Sequence, residues 1–141
     1  EVSFHDVAVS LDPEAEAGVP AMAPGIEPMQ RAGFWIRNVR GLRLYNVEVT
    51  GQVGPAISLQ DAEEIEISAC TSRTPNGPVI QMQDVQGAFI HGCQAVSDTE
   101  VFLAVEGART HDIVLVADHL SRAKQKVYLG ADTHSGAVTL N

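Results

Sequence analysis

Asp61 and Asp84 stand 23 residues apart in the same local setting, Leu59-x-Asp61 and Met82-x-Asp84. Two carboxylates held side by side could serve acid–base catalysis, because each raises the other's pKa. The same setting also puts each at a turn after an apolar residue, where Asp caps backbone amides. Asn38 occupies that place one step earlier, which makes capping the stronger reading of this acid pair. Cys70 and Cys93 repeat the 23-residue spacing. Side chains alongside each other on parallel neighbours match the disulfide dihedral poorly, so a buried thiol stack is expected. Neither they nor the histidines (His5, His91, His111, His119 and His134) fall at metal-ligand spacing, and no metal or other cofactor is expected. Thr110-His111 and Thr133-His134, again 23 apart, are expected to stack at a surface turn, and His91 to be solvated. Trp35 is the only tryptophan, and it is expected to face outward beside Arg37. It could stack on a sugar ring, with Arg37, Gln60 and Gln83 as a polar track, or pack beneath residues 12–32. Arg37, Arg40 and Arg43 form the only basic cluster, expected to be a solvated face paired with acidic neighbours.

What positions these residues is a repeat. Phe34-x-Ile36-x-x-Val39 recurs as Ile57-x-Leu59-x-x-Ala62, Ile80-x-Met82-x-x-Val85 and Leu103-x-Val105-x-x-Ala108. Leu42 and Leu44, Ile65 and Ile67, and Ala88 and Ile90 keep the same step. A fixed period of this size marks a solenoid. The segments alternate apolar and polar with period two and end at Gly, Pro, Asn or Asp, so they are strands. Strands stacked in register predict an all-β, right-handed parallel β-helix of about 23 residues per coil and roughly five coils. The leucine-rich-repeat signature is absent, and a β-sandwich would not hold a constant step. The coils are read as 33–53, 54–76, 77–99, 100–125 and a partial 126–141. In the fourth, the second strand slips by one, with Ile113 and Leu115 taking the places of Ala88 and Ile90. Val127, Leu129, Val138 and Leu140 continue the pattern. Trp35, Ser58, Gln81 and Ala104 should point outward, as should Arg37, Gln60, Gln83 and Glu106.

At 141 residues the chain suits one domain, residues 1–141. Residues 2–11 also alternate, with Phe4, Val7 and Val9 resembling Leu44, Val47 and Val49, and read as the end of an earlier coil. Residues 12–32 carry Pro13, Pro20, Pro24 and Pro28 and form an irregular loop, with Met22, Ile26 and Met29 apolar enough to pack. The net charge of −9 excludes a nucleic-acid partner. No stretch is long and apolar enough for a membrane span. The start at Glu1 suggests a piece of a longer β-helix, and residues 1–11 do not resemble a cap. Shielding of the exposed coil end, by association or by residues 12–32, is therefore expected.

The run Met29-Gln30-Arg31-Ala32-Gly33-Phe34-Trp35-Ile36-Arg37-Asn38-Val39-Arg40-Gly41-Leu42 resembles the C-terminal coils of bacterial family-28 glycoside hydrolases. So do Leu44-Tyr45-Asn46-Val47-Glu48-Val49 and Pro55-Ala56-Ile57-x-Leu59-x-Asp61. These are polygalacturonase-like proteins with the pectin-lyase-like right-handed β-helix. The resemblance covers most of the chain and is most specific over residues 33–70. It implies a secreted or periplasmic parent that hydrolyses pectin-type or related polysaccharides with inversion, using aspartates. The family's Asn-Thr-Asp, Asp-Asp, Gly-His-Gly and Arg-Ile-Lys motifs do not occur here, and His91-Gly92 is the nearest approach. No catalytic residue carries over. The expectation is a scaffold or an extension of a glycan groove, with a stand-alone glycan-binding or surface-adhesion module as the alternative.

Overall fold

The structure, a computed structural model, describes residues 1–16, 18, 19, 21, 22, 31–74 and 77–141. Its strands are β1 (Val2–Ser10), β2 (Phe34–Thr50), β3 (Ile57–Ser68), β4 (Thr71–Ser72), β5 (Ile80–His91), β6 (Val101–Glu106), β7 (His111–Val116), β8 (Gln125–Leu129) and β9 (Val138–Leu140). There is no helix among the described residues. All strand pairs are parallel. One path runs β1-β2-β3-β5-β6-β8, with β4 on β2, β7 on β5 and β9 on β7. The chain is a parallel β-solenoid of about five turns.

Period-two alternation turns each column of the sequence into a ladder through the stack. Phe34, Ile57, Ile80, Leu103 and Val127 form one ladder, and Ile36, Leu59, Met82, Val105 and Leu129 form another. Leu44, Ile67, Ile90, Leu115 and Leu140 form a third, which Phe4 extends at the β1 end. β1 pairs in the register its sequence suggests, Phe4 with Leu44, Val7 with Val47 and Val9 with Val49. The middle rungs of these ladders are buried. Phe34, Ile36 and Val39 are only partly so, because β1 covers the second part of β2 and, among the described residues, no strand pairs with the first part on that side.

Long strands such as the 17-residue β2 bend at single left-handed residues that stack in columns. The first column is Asn38, Asp61, Asp84 and Gly107. The second is Gly41, Glu64, Gly87 and Asp112, and the third is Asp6, Asn46, Ala69, Gly92 and Ala117. Asn, Asp and Gly dominate because their αL cost is the lowest. One such residue turns the chain through a corner while the ladders on either side stay in register.

Three expectations about the coils are corrected. Ile113 and Leu115 do pair with Ala88 and Ile90, but the step is 25 residues, so the slip is two. The extra residues lie in 107–110, since Gln83 pairs with Glu106 and Gln86 with His111. As a result Ala108 is exposed, and buried Thr110 takes the interior place, its hydroxyl accepting the Val85 N–H at 3.3 Å. Ala104 is buried although it stands in an outward row, being a small residue between Gln81 and Tyr128. In the stretch after β1, Asp12 caps a turn at the Glu14 N–H, 2.9 Å away. Met22 is 96% exposed and is not packed among the described residues. Pro20, Pro24, Ile26, Pro28 and Met29 lie outside the described residues.

Candidate functional site

Asp61 and Asp84 occupy successive places in the first corner column. Arg109, carried outward on the two-residue insertion, reaches back across both. Its Nη2 donates to Asp61 Oδ1 and lies 3.5 Å from Asp84 Oδ2. Its backbone N–H donates to Asp84 Oδ1 at 3.2 Å. The hydrogen bond to Asp61 is the main reason its guanidinium is held above the ordinary arginine value, with the Asp84 charge next. The guanidinium thus bridges the two carboxylates as an ion pair. Through the Arg109 N–H, Asp84 also caps backbone, and beyond this column Asp132 Oδ1 likewise accepts the Gly107 N–H at 3.2 Å. The geometry therefore supports the corner-capping role for Asp84.

Trp35 is 40% exposed, with the Arg37 guanidinium 5.5 Å from its ring centroid, within cation–π range. Ser58, Gln81, Ala104 and Tyr128 follow Trp35 on successive coils, so the row has an exposed aromatic at each end. Arg37, Gln60, Gln83 and Glu106 form the neighbouring outward row. The structure thus brings Trp35, Arg37, Gln60 and Gln83 together on one face. Arg40 and Arg43 behave as a solvated paired face. Arg40 contacts Glu64 at 2.9 Å and Glu63 at 3.8 Å, and Arg43 lies 3.6 Å from Glu66 and 3.7 Å from Glu1.

A larger recess lies on the next face, formed by the second half of each coil. One depression of about 390 Å³ is lined by Arg43, Glu64, Glu66, Phe89 and Asp112, with Gly41 and Gly87 keeping it open. A second of about 290 Å³ is lined by His5, Tyr45, Glu66 and Ser68. Arg43 and Glu66 border both, so the two depressions adjoin. The second exists because small Ser68 stands between Tyr45 and His91 in one outward row. His91 is not simply solvated. Its Nε2 is 3.1 Å from Glu66 Oε1, and its ring stacks on Phe89 with centroids 4.5 Å apart. None of Tyr45, Glu66, Phe89 or His91 announces itself as a site in the sequence. The signal that could have found them is the outward row read across coils for size rather than along the chain for motif.

Cys70 and Cys93 are buried free thiols stacked as expected, the Cys70 N–H lying 3.4 Å from Cys93 Sγ. Contact with Cys70, and then burial, push the Cys93 thiol up. On the next coil Asp118 takes the end of this column, its Oδ1 accepting the Cys93 N–H at 2.7 Å. Burial raises the Asp118 carboxyl above its ordinary value, and its Oδ2 is buried without a hydrogen bond among the described residues. His111 and His134 do not stack. The local step is 25, which puts Val138 beside Ile113 and breaks the 23-residue match. His134 instead closes its own turn, Nδ1 accepting the Gly136 N–H at 3.0 Å. No cluster of three or more His, Cys, Asp or Glu suited to a metal is found among the described residues. No helix among them is long and apolar enough to cross a membrane.

No family model, curated protein or solved structure matches the chain.

Proposed function

We propose that this chain is a scaffold segment of a secreted or periplasmic polysaccharide-acting β-helix hydrolase, and that it contributes glycan contact rather than chemistry. The observation that carries the reading is exposed Trp35, stacked by Arg37 and continued by Gln60 and Gln83 on successive coils. An indole offers a flat apolar face to a sugar ring, and side-chain amides and a guanidinium supply donors to its hydroxyls. Coils repeat at about 4.8 Å, so the row presents regularly spaced polar groups to a repeating polymer. Arg109 between Asp61 and Asp84 argues against acid–base work by that pair.

Retention of the purified chain in gels containing pectic or neutral polysaccharides tests the reading, alongside an assay for newly released reducing ends. Retention by at least one polysaccharide is expected, weakened roughly 3- to 10-fold by Trp35→Ala, with no reducing ends released. Release of reducing ends that Asp84→Asn abolishes would overturn it, as would absence of retention. The adjoining depressions bordered by Phe89 and Tyr45 favour, as a second reading, a glycan-binding module acting alone.

A further inference from the structure

We infer that the adjoining depressions bordered by Phe89 and Tyr45 act together as one groove, a second carbohydrate site that takes a neutral oligosaccharide and rejects uronates. An exposed aromatic borders each depression, Phe89 the first at 43% and Tyr45 the second at 48% exposure. Each is paired with a histidine. His5 tilts against Tyr45 with centroids 5.8 Å apart, and His91 stacks on Phe89. Those contacts limit the rotamers open to the aromatic rings, so little entropy is lost when a ligand lands on them. Tyr45 pairs with Ser68, and Ser68 with His91, so the two platforms are two coils apart, roughly 10 Å. Small residues keep each depression low, Gly41 and Gly87 in the first and Ser68 in the second.

The polar groups of the groove set the class of ligand. Glu1, Glu64, Glu66 and Asp112 border it, with Arg43 as its lining cation. Glu1 and Glu66 both lie near Arg43, Glu66 also holds His91, and Glu64 holds Arg40. Asp112 has no ion pair among the described residues. Carboxylates accept hydrogen bonds from sugar hydroxyls. The surplus of negative charge repels a uronate. A hydroxyl-rich, uncharged pyranose segment satisfies both conditions, placing an apolar ring face on Phe89 or Tyr45 and hydroxyls on Glu66 and Asp112.

This inference shares with the proposed function only the premise that the ligand is a glycan, and the variants separate the two. Isothermal titration of the full chain would use cellohexaose, xylohexaose, mannohexaose and oligogalacturonate. Phe89→Ala and Trp35→Ala would be compared after melting curves show both folded. The expected result is binding of at least one neutral hexasaccharide at least ~10-fold tighter than oligogalacturonate. Phe89→Ala should weaken it roughly 3- to 10-fold, and Trp35→Ala should leave it unchanged. Loss with Trp35→Ala but not Phe89→Ala would refute the groove and leave the Trp35 track standing. Equal or tighter binding of oligogalacturonate would refute the ligand class. No binding of any probe would refute the groove, while retention on a polymer through Trp35 would still stand for the first reading.

Discussion

Gly107 is the position at which the corner columns can be tested most sharply. It follows Asn38, Asp61 and Asp84 in its column, and a repeat-based redesign would replace it with Asn. The backbone forbids this. Its φ is 94°, against 51° to 54° for the other three, and lies outside the αL well that Asn tolerates. A Cβ there would stand 2.4 Å from Asp84 Oδ1 and 2.8 Å from the Asp84 backbone nitrogen. The side-chain oxygen could swing away at the cost of its bond to the Arg109 N–H, but the backbone nitrogen cannot. Overpacking of this kind costs about 1–3 kcal/mol, and leaving αL about 1–2 kcal/mol more, so Gly107→Asn should lose about 3 kcal/mol. Gly92 in the third column is the control. Its φ is 64°, and the nearest atom to an added Cβ is 3.9 Å away. Gly92→Asn should change stability by less than about 1 kcal/mol, since reduced unfolded-state entropy offsets the residual αL cost. For a domain of this size the first variant should melt about 8–12 °C lower and the second within ~3 °C of wild type. Far-ultraviolet circular dichroism during heating, with refolding checked, reads both. Equal melting temperatures for the two variants would refute the claim that corner geometry, rather than residue type, sets tolerance here.

Arg109→Gln should lower the denaturant midpoint at low ionic strength and neutral pH, with the gap to wild type narrowing in high salt, because the lost contacts are charge–charge. A salt-independent gap would instead point to lost packing. Asp118 has a folded-state pKa above its unfolded value. Its contribution to stability is therefore fully present below the unfolded pKa and lost as pH rises through the folded one. Asp118→Asn can keep the acceptor for the Cys93 N–H and removes the charge, so its stability relative to wild type should increase between pH 3 and pH 7 in urea titrations; a constant difference would sink this assignment. Cys70 and Cys93 should be silent to Ellman's reagent in the native protein and give two thiols in denaturant, whereas rapid native labelling would contradict the buried stack.

Much of the scaffold is legible in the sequence because a β-helix makes one residue in each coil answer to the same physical demand. Ile57, Ile80 and Leu103 face the same interior, so chemical likeness at a 23-residue step reveals their ladder. The Asn38, Asp61 and Asp84 turn is visible for the same reason. The second and third corner columns are hidden because residues as unlike as Glu64 and Gly87, or Ala69 and Gly92, fill them. Arg109 escapes because it belongs to the two inserted residues, where counting by 23 assigns Ala108 to the interior and Thr110 to a surface turn. The His111–His134 stack fails by the same arithmetic. Read along the chain, Tyr45, Ser68 and His91 share nothing. Read across it they are large, small and large, and that difference in size is the recess.

That contrast bears on where a solenoid can keep a binding site. Inward columns cannot change size from coil to coil without leaving a void or a clash, so they hold the period and carry little ligand information. Outward rows face solvent, and uneven size there costs nothing in packing. A groove along the axis therefore forms where an outward row departs from the repeat. The Trp35–Ser58–Gln81 and Tyr45–Ser68–His91 rows both do so, on adjacent faces. Their charges differ. The first has Arg37 beside its aromatic, whereas the second has Glu66 beside its own and adjoins a depression bordered by four carboxylates. A single acidic polymer would not suit both faces, because the carboxylates of the second would repel it. If the proposed parent acts on a uronate-rich backbone, the Trp35 face is the one able to follow that backbone, and the Phe89 groove is left for neutral branches.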